Sequence, residues 1–234
     1  MPKPEDVRWE WSLAAHHGKL QQWFSSNPVI NTMPGGATTI WAKAWRAGLA
    51  LCLLAALGIA PLAAETGAGR MNLRSAALDL VEAQIRTVFD DVPHISQESL
   101  VKLLQDVPGR VVLLDVRGAE EHAVSRLPGA IHVMPETRSA AEVVARAGSL
   151  EGKIVVAYCS IGLRSSRLLV EIGQALKEKG AVELHNLAGG AFRWRNDGRQ
   201  LVGASGPTRA IHPYSVLWRQ FLLDQPNLPA AGDK

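Results

Sequence analysis

Residues Lys153 to Ser166, KIVVAYCSIGLRSS, constrain the fold more than any other stretch of the chain. Ile154 to Tyr158 is an uninterrupted apolar run of strand length, the pattern of a strand covered on both faces. It stops at Cys159, turns through a short polar loop, and resumes with Leu168, Leu169, Ile172 and Leu176 at helical spacing. A strand that feeds a helix through a tight loop belongs to a layered α/β sheet. At such a junction successive backbone N–H groups converge on an anion site, reinforced by the helix dipole. Gly162 supplies the positive φ that a tight nest requires. A cysteine held there is biased toward thiolate, the reactive form of sulfur.

The rest of the chain fits the same plan. Leu78, Val81, Ile85 and Val88 recur at helical spacing and predict a helix over about residues 72–89. Ser96 is placed to cap a second helix containing Leu100, Leu103 and Leu104, closed by Pro108-Gly109. Val111–Val116, Ala130–Val133, Ile154–Tyr158 and Val182–Leu187 read as strands, with helices over Ala140–Ala147 and Arg164–Lys179. This alternation implies a mostly parallel sheet with helices on both faces. The cysteine loop then falls at a strand's carboxyl end, where open α/β sheets place ligands. Beyond residue 203, Tyr214, Leu217, Trp218, Phe221 and Leu222 predict a short amphipathic helix, and Asp224–Lys234 reads as a frayed tail.

Three motifs now carry a resemblance. The loop Cys159-Ser160-Ile161-Gly162-Leu163-Arg164-Ser165 resembles the active-site loop of the rhodanese family of sulfurtransferases. Upstream, LLDVRGAEEHAVSRLPGAIHV from Leu113 to Val133 is similar to the family's Asp-x-Arg and Pro-Gly-Ala-Ile signature. Downstream, HNLAGGAFRW from His185 to Trp194 is similar to its Gly-Gly-x-x-x-Trp ending. The resemblance implies a rhodanese-like α/β domain over residues 93–202, with a mostly parallel sheet of about five strands. Residues 65–92 are then a helical extension before the domain, and residues 203–234 a C-terminal helix and tail.

The resemblance also implies a sulfurtransferase with no metal or organic cofactor. Cys159 would be the nucleophile, carrying sulfur as a persulfide from a small anionic donor such as thiosulfate to a thiol, cyanide or protein acceptor. The amides of Ser160, Ile161, Gly162, Leu163, Arg164 and Ser165 would form the cradle. Arg164 would attract the donor and favour the thiolate, or else pair with a neighbouring acid as an ordinary helix residue. The hydroxyls of Ser160 and Ser165 would donate into the cradle, unless Ser165 instead caps the helix. Asp115 and Arg117 are expected to serve as scaffold, with Arg117 pairing to Glu120 or Glu121. Where the family shows Gly-His before its Ile-Pro-Gly-Ala, this chain has Ser125-Arg126, so no role carries over for that histidine.

Two other functional classes stay open at this stage. Related folds use a cysteine loop ending in arginine for phosphatase or arsenate-reductase chemistry, but with five intervening residues. Here four separate Cys159 from Arg164, a smaller ring suited to one sulfur atom. A non-enzymatic module that delivers persulfide to one protein partner is the other. His122, His132, His185 and His212 show no metal-ligand spacing.

The N-terminal third bears on location. From Ala47 to Ala64 no charged residue occurs, Lys43 and Arg46 precede the run, and small residues with Pro61 close it. This is the plan of an export signal over residues 33–64, cleaved after Ala64, which places the domain in the periplasm or another exported space. An uncleaved inner-membrane anchor is the alternative, the one circumstance in which a membrane partner follows. Met33 opens a complete signal, so residues 1–32 read as an upstream extension or a disordered tail. With cleavage, Cys52 is lost and Cys159 is the only remaining cysteine.

Of the chain's 25 Lys/Arg and 22 Asp/Glu, residues 1–64 hold five and three, leaving 20 and 19 downstream. A near-neutral domain gives no electrostatic footprint for nucleic acid.

Overall fold

The computed structural model describes residues 67–216 and 218–223. The expected export segment, the extension before it and the tail beyond residue 223 lie outside these described residues.

Helix α1 (Gly67–Val88) leads into strand β1 (His94–Ile95), helix α2 (Gln97–Asp106), a 3₁₀ turn (Pro108–Arg110) and strand β2 (Val111–Asp115). Helix α3 (Ala119–Val124), strand β3 (Ile131–His132), helix α4 (Ala140–Ala147) and strand β4 (Ile154–Tyr158) follow. Helix α5 (Leu163–Glu178), strand β5 (Glu183–Leu187) and helix α6 (Gly190–Asn196) complete the layered domain. A hairpin, β6 (Leu201–Gly203) and β7 (Gly206–Thr208), and a 3₁₀ turn (Trp218–Phe221) come last.

Five strands pair in the order β1-β5-β4-β2-β3, all parallel. Parallel crossovers are right-handed, so connections running one way across the sheet lie on one face and those returning lie on the other. That rule sets α4 and α5 together on one face and α2 and α3 opposite; the sequence implied helices on both faces without assigning them. The two central strands explain the continuous apolar runs: β4 is buried at every position and β2 at four of five. Register places Asp115 beside Tyr158 on one side and His132 on the other, so three site-supporting residues share one row.

Helix α1 buries Leu78, Val81, Ile85 and Val88 on one stripe, as the spacing predicts. Each such side chain contributes about 1.5–3 kcal/mol on leaving water. Asp79 and Glu82 on the same helix meet Arg193 of α6, and Arg74 donates to the Leu222 carbonyl, so the helix packs on the domain. Ser96 caps α2 as read, its side chain accepting from the Ser99 amide.

Helices α3 and α6 and the β6–β7 hairpin were not expected from the sequence, and two further elements depart from it. Strand β1 was not legible, because two residues carry no periodicity; it pairs with β5 through His94–Asn186 and Ile95–Leu187. The amphipathic helix expected around Tyr214–Leu222 is not an α-helix. Pro213 and a left-handed Tyr214 (φ 64°) break the chain there, and only the 3₁₀ turn Trp218–Phe221 forms. Among the described residues no helix is long and apolar enough to cross a membrane.

Candidate active site

The loop between β4 and α5 is built by glycines at both ends of its support. Gly162 caps α5 in a left-handed conformation (φ 101°), and a Cβ there would stand 2.9 Å from Asn186 Nδ2. Side chains larger than hydrogen are therefore excluded by backbone and neighbour alike. Gly190 (φ 54°) lies directly against the loop, where a Cβ would run into the Cys159 and Ser160 carbonyl groups. This close approach lets the first amides of α6 hold the loop: Ala191 N–H donates to Cys159 O and Phe192 N–H to Ser160 O, each at 2.9 Å. The Gly-Gly pair of the downstream motif is thus part of the cysteine loop's scaffold. Gln97 locks the other side of that pair, its amide donating to Ala188 O (2.6 Å) and Gly190 O (3.2 Å).

Cys159 is 1% exposed. The Gly162 N–H donates to its Sγ at 3.2 Å. Burial pushes the thiol up, but the Arg164 charge and the amides of Ser165, Ile161 and Gly162 outweigh it and bring the thiol below its ordinary value. An acidified thiol ringed by amides can attack a soft electrophile and can also hold the anion that results.

Arg164 is paired with an acid that comes from far away in the chain. Its Nη1 donates to Glu121 Oε2 at 2.6 Å, and its Nη2 to Glu121 Oε1 at 2.8 Å and to Ser160 Oγ at 3.0 Å. Arg164 is thus ion-paired with an acid from another element and also acts electrostatically on Cys159. Half-burial alone would lower its pKa, but Glu121 and the Cys159 sulfur raise it further above its ordinary value. Glu121 is almost fully buried. Burial pushes its carboxyl up, yet hydrogen bonds and charge from Arg164, with Ser160 and the Gly118 amide, bring it below the usual range.

The serine hydroxyls are engaged elsewhere than expected. Ser160 Oγ donates to Glu121 Oε1 at 2.6 Å instead of into the cradle. Ser165 Oγ does not cap the helix; it donates to Asn186 Oδ1 at 2.6 Å. Asn186 Nδ2 in turn reaches His94 Nδ1 at 3.2 Å. Burial and the nearby Arg86 push His94 down to about 4, so its neutral ring accepts from the amide and fixes how Asn186 presents its oxygen. Ile161 is buried, and Leu163 opens α5 at the edge of the loop.

Beneath the loop lies a second, wholly buried ion pair. The expected pairing of Arg117 with Glu120 or Glu121 is not formed. Arg117 instead turns back on its own strand end, donating from Nε and Nη2 to Asp115 at 2.9 and 2.6 Å and to Ser125 O at 2.5 Å. Two residues apart, they meet because the chain bends just after β2, where the Arg117 amide also donates to Asp115 Oδ1. Glu121 is unavailable because Arg164 holds it. Burial pushes the Asp115 carboxyl up, but Arg117, His122 and Tyr158 hold it far below the carboxylate range. His122 Nδ1 lies 3.0 Å from Asp115 Oδ2 and stacks on His132 with centroids 4.4 Å apart. The sequence showed these histidines as scattered; β3, in register with Asp115, and helix α3 bring them together beside that carboxylate.

A family model described as a rhodanese-like domain matches residues 96–197. Among solved structures, a thiosulfate sulfurtransferase from Pseudomonas aeruginosa is 25% identical, covering 63% of this chain and 26% of that one, with a TM-score of 0.41. A human single-domain sulfurtransferase is 27% identical over 44% of this chain and 95% of that one, TM-score 0.35. A Bacillus halodurans protein is 18% identical over 53% and 87%, TM-score 0.41. No curated protein matches the chain. The chain carries a rhodanese-like domain, and its parallel five-stranded α/β sheet is the rhodanese-like fold.

Proposed function

We propose that the protein is a sulfurtransferase that carries sulfane sulfur on Cys159. The observation that carries this reading is the buried thiol at the end of β4, whose Sγ accepts from the Gly162 amide at 3.2 Å, with the Arg164 charge and the loop amides drawing it below its ordinary value. In the first step the thiolate attacks the outer sulfur of an anionic donor of the thiosulfate type. The new Sγ–S bond forms as the donor's S–S bond breaks, and the electron pair leaves with sulfite. The terminal sulfur of the persulfide then sits among the loop amides, which stabilise its negative charge without reorganising. A thiolate or cyanide acceptor next attacks that sulfur, and Cys159 leaves as thiolate, ready for another cycle.

The phosphatase-type alternative has less support. A tetrahedral oxyanion needs the loop arginine turned toward it, and both terminal nitrogens of Arg164 are committed to Glu121. The site of action we propose is outside the cytoplasm, on the strength of Lys43, Arg46 and the uncharged run Ala47–Ala64. Fractionation with intact-mass analysis tests it: full-length protein in the cytoplasm would contradict export.

Steady-state conversion of thiosulfate and cyanide to thiocyanate tests the activity. The wild type should turn over in a double-displacement pattern, with parallel reciprocal plots at different fixed concentrations of the second substrate. Absence of turnover with thiosulfate and with organic thiosulfonates alike would refute the reading.

A further inference from the structure

We propose that Tyr214, from the segment after the β6–β7 hairpin, is a positioning residue for the cysteine site, acting through Arg164. This rests on the sulfurtransferase reading for its role in turnover, but not for its effect on the thiol. The edges of the Arg164 guanidinium are taken by Glu121 and Ser160, and its Cζ lies over the Tyr214 ring, 4.7 Å from the ring centroid. A cation over an aromatic face is held by the ring quadrupole and shielded from water on that side.

Core packing does not account for this tyrosine. It is 50% exposed, and a side chain needed only for burial would not be. It is also the one non-glycine residue with positive φ among those described, at 64°. A bulky residue occupies that region only when its surroundings over-determine it, and such residues cluster at functional sites.

The surroundings do over-determine it. Ile211 and Pro213 anchor the segment in the domain, and the Tyr214 amide donates to His212 Nδ1 at 3.0 Å. The Trp218 ring meets Tyr214 edge-on at 6.1 Å and contacts Phe221 at 5.5 Å. Asn196 of α6 ties down the end of the segment through Phe221 O (2.7 Å) and the Leu223 amide (3.0 Å). The ring is therefore delivered to Arg164 from a fixed base.

The consequence is chemical. Arg164 supplies the charge that opposes burial at Cys159. With the ring in place, one side of the guanidinium is dry and its orientation is fixed, so its field reaches the sulfur with little screening. Without the ring, water enters and the arginine gains freedom to turn outward. The titratable groups that share this region are Glu121 on α3, Cys159 and Arg164 around the loop, and His212 behind the tyrosine.

The test compares Tyr214→Phe, Tyr214→Leu and Tyr214→Gly in the full chain. The pH dependence of iodoacetamide alkylation is followed at the Cys159 peptide by mass spectrometry, alongside melting temperature and thiosulfate kinetics. Tyr214→Phe keeps the π face and should match the wild type. Tyr214→Leu keeps bulk without a π face, and Tyr214→Gly relieves the backbone. Both should raise the alkylation midpoint, leaving about threefold less thiolate at a pH below it. Both should raise KM for thiosulfate more than they lower kcat. A Gly variant that melts no lower than the Leu variant and still shows the shifted midpoint separates positioning from stability. An unchanged midpoint in the Leu and Gly variants would overturn the proposal, and so would a Phe variant that shifts as far as Leu. If the midpoints shift as expected while the wild type turns over no sulfur donor, the functional reading fails and the role of Tyr214 stands.

Discussion

Replacing Glu121 by glutamine removes one charge and little volume, so its effect can be worked from the contacts. The carboxylate accepts from two Arg164 nitrogens, from Ser160 Oγ at 2.6 Å and from the Gly118 amide at 3.0 Å. Breaking a buried ion pair from one side costs about 3–5 kcal/mol, because the surviving charge stays buried. Arg164 is 21% exposed and so partly solvated, and glutamine keeps one good acceptor. The expected loss is therefore nearer ~2–3 kcal/mol. In a domain of this size that is a fall in melting temperature on the order of 5–10 °C.

The pH dependence of this loss has a definite sign. Glu121 titrates below its ordinary 4.5 in the folded protein, so the unfolded chain binds its proton first as pH falls. Its contribution is fully present above about 4.5 and disappears as pH drops through the lower folded value. Thermal melts of wild type and Glu121→Gln at pH 7 should show the full gap, and melts taken at successively lower pH should converge. Asp115 and the other acids titrate alike in both proteins and cancel from the difference. A gap under about 1 °C at pH 7, or one that stays constant as pH falls below 4.5, would refute the reasoning.

Three further outcomes follow from the same geometry. Gly190→Ala pushes a methyl group within 2.8 Å of the Ser160 carbonyl, so it should displace the loop and cut sulfur transfer by more than tenfold in a thiocyanate assay. Asp115→Asn strands Arg117 in the interior and should cost about 3–5 kcal/mol by urea denaturation. One glycine inserted between Gly162 and Leu163 widens the ring of amides, so thiosulfate turnover should fall sharply while the folded far-ultraviolet spectrum is kept; unchanged kinetics would remove the link between ring size and sulfur.

Much of this architecture is written locally and some of it is not. The apolar runs of β2 and β4 are legible because both faces of a central parallel strand are buried. The stripe of α1, the Ser96 cap and the Gly162 turn are legible because each depends on residues within one or two helical turns. Strand β1 escapes notice because its two residues owe their conformation to β5, ninety positions later. Glu121 and Arg164 lie 43 residues apart, and nothing in either neighbourhood marks them as partners. The same holds for Asn186, which sits under the loop to receive Ser165. Expecting Arg117 to pair with a nearby glutamate followed sequence proximity; the bend after β2 and the prior claim of Arg164 on Glu121 decide otherwise. Tyr214 is the extreme case, since a left-handed tyrosine goes against local preference and is explained only by what its ring touches.

The central claim is that Cys159 itself carries the sulfur. Intact-mass analysis of purified wild type and Cys159→Ser after brief exposure to thiosulfate, followed by removal of excess donor, tests it most directly. The wild type should gain the mass of one sulfur atom, lose it on addition of cyanide, and localise it to the Cys159 peptide, while the serine variant gains nothing. A wild type that remains at its original mass, or a serine variant that takes up sulfur equally, would contradict the account.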